Sequence, residues 1–408
     1  MDVFATGHDV AAALRPDEPV YCFRPTVLSA DARAFRAAFP GTTAYAVKTN
    51  GEPMVLSTLA RAGIAAFDVA SPAEFAAART AAHAAELLYM HPVKAESHIR
   101  LAFDRYKIRT LAADHEDEVA KILSVAKSLG LDPGAISLFV RIATKGHAAY
   151  ELSKKFGATP AHAVEVADRA ARAGFKVGLC FHVGSQVEDL STYERALASV
   201  AWVRSRSVAE ICGLDIGGGF PAAYGTDGKH PAAAPPDTAL LLAEIVREIG
   251  EWGLADLPLF AEPGRVLVAR AFSVIVRVML RKGRRLYIND GIWSSLSDSW
   301  TGKITLPARH LPDPLCRRRR QVSDIVPFRV MGATCDSVDI LSRPFHLPES
   351  VATGDWIEIG HIGAYSMALR TQFNGFYPDT FVEVTTPFEG GEPAESLATV
   401  ESMGEAAE

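Results

Sequence analysis

The stretch Ala44–Asn50, AYAVKTN, closes a short run of alanine, tyrosine and valine with a lysine and then turns polar. Aromatic and β-branched residues in so short a run read as a strand, which puts Lys48 at a strand's C-terminal tip. Working outward, the same kind of run recurs as IAAFDV, LLYM, IRTLA, ISLFVRI, KVGLCFHV, ICGLDI and LPLFAE, each separated from the next by alanine-rich segments with helical spacing. Strands alternating with helices from about residue 43 to 262 predict an α/β fold, a parallel sheet closed as a (β/α)8 TIM barrel.

After Pro263 the texture changes. VLVARAFSVIVRVMLRK, RRLYIND, IVPFRVMG and DWIEIGHIG are rich in strand-forming residues with little helical pattern between them, which predicts a second, mostly antiparallel β-domain. The expected division is residues 24–262 for the barrel, 263–387 for the β-domain and 388–408 for an acidic, disordered tail. Tyr224–Asp237 and Leu311–Gln321 read as surface loops.

With 408 residues, 49% hydrophobic and 22% charged, the chain can bury large cores. A formal charge of −6 lacks the basic excess that nucleic-acid binding requires, and Arg317–Arg320 read as a solvated loop. Five widely spaced cysteines form no ligand or CxxC pattern, so no metal is expected and a reducing cytoplasm fits. The start of the chain lacks a signal peptide's basic and apolar regions, and AFSVIVRVML is too short to cross a bilayer.

Polar residues collect at the strand ends, where barrels of this kind place their chemistry. Lys48 follows the first strand, Asp68 ends the second, Arg141 the fifth and His182 the sixth; Gly217, Gly218 and Gly219 follow the seventh and Glu262 the eighth. A lone lysine there is ordinarily a snorkelling surface residue, but a lysine among such neighbours, with its pKa lowered by desolvation, is a candidate for a Schiff base with an aldehyde cofactor. LDIGGGFP matches neither dinucleotide nor nucleoside-triphosphate loops and fits a single phosphate monoester. In FAEPGRV, Arg265 can fork onto that phosphate and Glu262 can bond a protonated ring nitrogen, although an ordinary surface ion pair reads almost as well. FHVGSQ offers the flat ring of His182 for stacking, and Ser185; MGATCDSVDIL sets the thiol of Cys335 beside the carboxylate of Asp336.

In order along the chain, YAVKTN, FDVAS, VRIAT, FHVGSQ, LDIGGGFP, AEPGR, YINDG, GATCDSVD and GAY…FNGF resemble the fold-type III pyridoxal-phosphate decarboxylases of basic amino acids, the ornithine decarboxylase group, over about residues 40 to 376. The resemblance implies an alanine-racemase-like fold whose N-terminal segment, residues 1–23, joins the β-domain. It implies pyridoxal 5'-phosphate on Lys48, His182 against the ring, Glu262 at the pyridine nitrogen, and phosphate held by Ser185, Gly217, Gly218, Gly219, Arg265 and Tyr365. Asp68, Arg141 and Glu74 would support the ring. Cys335 would return a proton to Cα and Asp336 would bind a distal ammonium; with Phe373 they would reach the partner's site in a head-to-tail homodimer.

The implied reaction is decarboxylation of L-ornithine, or L-lysine, to the diamine, as in polyamine biosynthesis. DGIWSSLSDSW departs from the family's eukaryotic members: Asp298 is the candidate for a second acid in the substrate pocket, and Trp293 stands where a smaller aromatic is usual. Alternatives are a diaminopimelate or D-amino-acid decarboxylase of the same fold, or a non-catalytic regulatory homologue. TCDSVD departs from the CESGD pattern of the diaminopimelate group, and Glu262 argues against a racemase, which places an arginine at the ring nitrogen.

Overall fold

A computed structural model describes residues 1–144, 155–225, 237–313, 315 and 323–388. Arg317–Arg320, most of the Tyr224–Asp237 loop and the tail beyond Phe388 lie outside the described residues.

All eight expected runs become strands of one closed parallel barrel: Thr42–Ala46, Ala66–Asp68, Glu86–Tyr89, Thr110–Ala113, Ser137–Ile142, Lys176–Phe181, Ile211–Asp215 and Leu259–Ala261. Closure comes through Phe260, which pairs with Thr42 on one side and Asp215 on the other. Both faces of these strands are covered, which is why they read as continuous apolar runs rather than alternating ones. Inward-facing Ala44, Ala66, Leu88, Ala112, Phe139 and Cys180 form a small cluster inside the barrel. Three alanines leave space for the Phe139 ring, which meets Phe260 edge-on at 5.5 Å and sits where a Cβ on Gly178 would lie, 2.6 Å away. Outward-facing residues such as Tyr45, Phe67, Val140 and Leu179 pack with the surrounding helices in the main core.

The second unit is built on the long strand Phe272–Lys282, antiparallel to Val20–Phe23, Trp356–Gly360 and Arg285–Ile288. Among the described residues, five of its eight strand pairings are antiparallel and three parallel. Val20–Phe23 also pairs with Thr380–Val384, and that strand pairs with Val3–Phe4, so segments from both the start and the far part of the sequence enter one sheet. We propose 24–262 and 263–387 as the limits of the two units, with 1–23 assigned to the second. Where they meet, fully buried Arg24 bonds Glu358 at 2.8 Å, and Ser273 and Arg309 supply the rest of that carboxylate's donors. No helix among the described residues is long and apolar enough to cross a membrane.

Candidate active site

Parallel closure brings the C-terminal tips of all eight strands to one end. Lys48 lies in a 3-10 turn, Val47–Thr49, directly after the first strand, and its Nζ sits 3.3 Å from the Oδ2 of buried Asp68 at the end of the second. Desolvation lowers the lysine's pKa, but the carboxylates of Asp68 and Glu262 and the Tyr365 hydroxyl outweigh it and hold the amine above its ordinary value. This corrects the expectation of a lowered pKa: as placed here, Lys48 is an ammonium ion, and its side chain keeps 42% of its accessibility.

On the other side of Lys48 from Asp68, Glu262 follows the neighbouring last strand and Asp215 ends the strand beyond it, and both are buried. Burial, followed by repulsion from Asp215 and Asp68, pushes Glu262 well above the usual carboxylate range, while burial pushes Asp215 up to about 6. Asp215 Oδ1 accepts the Gly217 amide at 2.7 Å, and the buried Asp215 carboxyl lies within hydrogen-bonding reach of the Glu262 carboxyl. Two carboxyls this close in a low-dielectric site favour one shared proton. Asp215 is a site residue that the sequence reading passed over, although it stands two residues before Gly217 in LDIGGGFP.

His182 is held neutral by burial and by the charges of Lys48 and Arg141, and its Nδ1 accepts the Gly184 amide at 3.2 Å. The glycine turn packs directly on these groups. A Cβ on Gly217 would sit 2.3 Å from the Phe181 carbonyl, and one on Gly218 would sit 2.6 Å from the Glu262 carbonyl and 3.2 Å from His182 Nε2. Gly217 and Gly219 also have positive φ, 67° and 101°, which glycine adopts without penalty. Glu74 caps a loop by accepting the Ala70 amide at 2.7 Å and feels Asp68 and Lys48, in keeping with a place in the polar surround. Arg141 lies on the fifth strand, its guanidinium 5.6 Å from the Phe156 ring centre.

Beside the turn, Arg265 is buried and points Nε at Ser185 Oγ, 3.2 Å away, with the Tyr365 ring 4.9 Å from its guanidinium carbon. Its partner is not Glu262, so the surface-pair reading of FAEPGRV fails. Instead, Asp298 accepts from Nη1 at 2.6 Å and from Nη2 at 3.1 Å, and the Tyr224 hydroxyl accepts from Nη1 at 2.8 Å. Asp298, expected as a second acid of the substrate pocket, is engaged with the arginine. Tyr224, expected only as the edge of a loop, was also missed.

A second group gathers in the β-domain. Trp293 Nε1 donates to Asp336 Oδ2 at 3.2 Å, the Trp293 and Phe373 rings lie 5.9 Å apart, and the Cys335 amide donates to Asn374. Cys335 and Asp336 are joined to Lys48, Asp68 or Glu262 by no hydrogen bond or ion pair among the described residues, and Cys335 and Phe373 are exposed. Elsewhere, His115, Glu116 and His162 bring possible metal-ligand atoms within 4.8 Å of one another at the starts of two outer helices; none of the residues above belongs to that group.

The donor set fits pyridoxal phosphate: an amine at the mouth, a buried carboxyl able to hold a proton, a neutral imidazole, and a glycine cradle beside an arginine and a serine. A barrel and β-domain arranged around such a lysine define a pyridoxal-phosphate-binding protein of the barrel type. The family model for the pyridoxal-binding domain of pyridoxal-dependent decarboxylases matches residues 27–269, and the chain belongs to that family. It is 32% identical to a lysine/ornithine decarboxylase from Selenomonas ruminantium, across 82% of this chain and 81% of the relative. It is 30% identical to an antizyme inhibitor 2 from Xenopus laevis, across 81% and 73%. Among solved structures, lysine/ornithine decarboxylase from Vibrio vulnificus complexed with putrescine superposes with a TM-score of 0.76 at 26% identity, covering 94% of this chain and 99% of that one.

Proposed function

We propose that this chain is a carboxy-lyase that removes CO2 from a basic diamino acid, L-ornithine first and L-lysine second, to give the diamine. The observation that carries the reading is that one chain holds a lysine-centred barrel mouth and, apart from it in the second unit, a thiol beside a carboxylate, Cys335 and Asp336, the carboxylate hydrogen-bonded by Trp293. The names of the relatives support the substrate class.

Bound pyridoxal phosphate supplies the electron sink for the pair released when the Cα carboxylate leaves. Lys48 would hold the cofactor through its amine, and Glu262, already favoured in its protonated form, would keep a proton shared with the ring nitrogen. Neutral His182 would lie against the ring without adding charge. Ser185, Gly217, Gly218, Gly219, Arg265 and Tyr365 would hold the phosphate. Cys335 would return a proton to Cα, and Asp336 would take the distal ammonium, whose burial is costly without an anion. Trp293 and Phe373 would wall the substrate.

Because Cys335, Asp336 and Phe373 have no contact with the barrel mouth of their own chain among the described interactions, we assign them to the partner's site in a head-to-tail homodimer. Mixing Lys48→Ala and Cys335→Ala chains is then expected to restore about a quarter of wild-type turnover, since half the dimers are hybrids with one intact site of two. Recovery of no activity after subunit exchange would place both residues in one chain's site. The four described cysteines are unpaired, which supports a reducing, cytoplasmic setting.

The test of the reaction is CO2 release from L-ornithine, L-lysine, L-arginine, meso-diaminopimelate and the D-isomers of ornithine and lysine, in parallel. Asp336→Ala is expected to raise KM for the preferred diamino acid by a factor equivalent to about 3–5 kcal/mol, the cost of leaving a buried charge unpaired. An unchanged KM would remove Asp336 from the substrate. The likeness to an antizyme inhibitor favours a second, regulatory reading, in which the purified chain would bind a protein partner and release no CO2 from any of these substrates. The retained Lys48, Glu262, Arg265, Cys335 and Asp336 weigh against it.

A further inference from the structure

We propose that Asp298 is a positioning residue that turns Arg265 so that one chosen edge meets the cofactor's phosphate; this rests on reading Arg265 as the phosphate-binding arginine. A guanidinium offers five N–H groups along fixed directions. Asp298 lies end-on across the two terminal nitrogens, with Oδ2 accepting from Nη1 at 2.6 Å and Oδ1 from Nη2 at 3.1 Å. The remaining hydrogen on Nη1 goes to the Tyr224 hydroxyl at 2.8 Å, and the Tyr365 ring covers a face. That leaves the side-on edge, where Nε–H donates to Ser185 Oγ at 3.2 Å and the second hydrogen of Nη2 lies parallel to it. A phosphate monoester that takes the place of the Ser185 oxygen on Nε would meet two parallel donors with two of its oxygens, and the Ser185 hydroxyl can turn to donate to it.

The tie also joins the two units. Arg265 opens the helix Arg265–Val268 directly after the last barrel strand and bonds Ser185 and Tyr224 of the barrel, whereas Asp298 sits in the short helix Ser297–Thr301 after the β-domain strand Arg285–Ile288. The phosphate-binding edge is therefore set only when that segment is seated against the barrel.

Asp298 has two effects of opposite sign on phosphate. As a charge it repels a dianion; as an anchor it removes the freedom of a long side chain that would otherwise have to be ordered on binding. The inference is that anchoring wins. Its test is equilibrium dialysis of the cofactor-free protein against pyridoxal phosphate and against pyridoxal, for wild type, Asp298→Asn, Asp298→Glu and Arg265→Ala, each checked for native circular dichroism. Asp298→Asn, which keeps the volume and loses the charge, is expected to weaken pyridoxal phosphate at least tenfold and leave pyridoxal unchanged. Asp298→Glu, which keeps the charge and displaces it, is expected to weaken the phosphorylated form as well. Unchanged or tighter binding of pyridoxal phosphate by Asp298→Asn, or wild-type binding by Asp298→Glu, overturns the positioning role. If Arg265→Ala keeps the wild-type preference for the phosphorylated form, the reading of Arg265 itself fails, a result separable from either outcome at Asp298.

Discussion

Lys48→Ala is expected to yield a folded protein that no longer shows the long-wavelength absorbance of covalently held pyridoxal phosphate and whose CO2 release falls by about 10³-fold or more, within the range seen when a positioned proton-transfer group is lost. The amine stands at the barrel mouth between Asp68, 3.3 Å away, and the buried carboxyl of Glu262. In the cofactor-free protein its charge offsets Asp68, so the variant leaves a carboxylate that is only 5% exposed without a counter-ion. A lowered Tm of the cofactor-free variant should therefore accompany the lost absorbance. Wild-type turnover by Lys48→Ala would end the assignment. Loss of turnover with an unchanged absorption spectrum would move the covalent anchor to another lysine. Buried Lys94 is not a rival, because its ammonium already donates to the carbonyls of His91, Pro92 and Ala112.

Glu262→Gln should separate catalysis from stability. Turnover is expected to fall by about 10²-fold or more, since glutamine cannot share an acidic proton with a ring nitrogen. The cofactor-free protein should nevertheless gain stability at neutral pH. Glu262 and Asp215 titrate above their unfolded values, so their favourable, protonated contribution is fully present below the unfolded carboxyl pKa. It is lost as pH rises through the folded values, about 6 for Asp215. Removing Glu262 takes away the repulsion that appears above that window. Melting curves of cofactor-free wild type and Glu262→Gln should converge near pH 4 and separate toward pH 8, with the variant melting higher. A variant that melts lower at pH 8 would mean that the Glu262 carboxylate is paired rather than crowded, and would remove the shared proton with Asp215.

Asp215 and Asp298 mark where sequence reasoning stopped. Asp215 sits inside a motif whose glycines drew attention for their backbone freedom, and its own part depends on Glu262, which the strand pairing Phe260 to Asp215 brings alongside. The resemblance makes Asp298, in DGIWSSLSDSW, the candidate for a second acid of the substrate pocket. Its partner lies 33 residues earlier, directly after the last barrel strand. The lowered pKa expected for Lys48 failed for the same reason: local sequence registers burial, and only the folded arrangement counts the carboxylates around it.

By itself the sequence determined the eight barrel strands, their order, the polar residue at each informative tip and the family-level chemistry. Those properties reside in short-range patterns: strands covered on both faces must be apolar throughout, and parallel closure sends every tip to one end. The tertiary structure alone decided which acids share a proton, which one holds the arginine and how the lysine is charged. Hydrogen bonds and Coulomb interactions act over a few ångströms of space, and residues far apart in sequence reach that range only once the chain has closed.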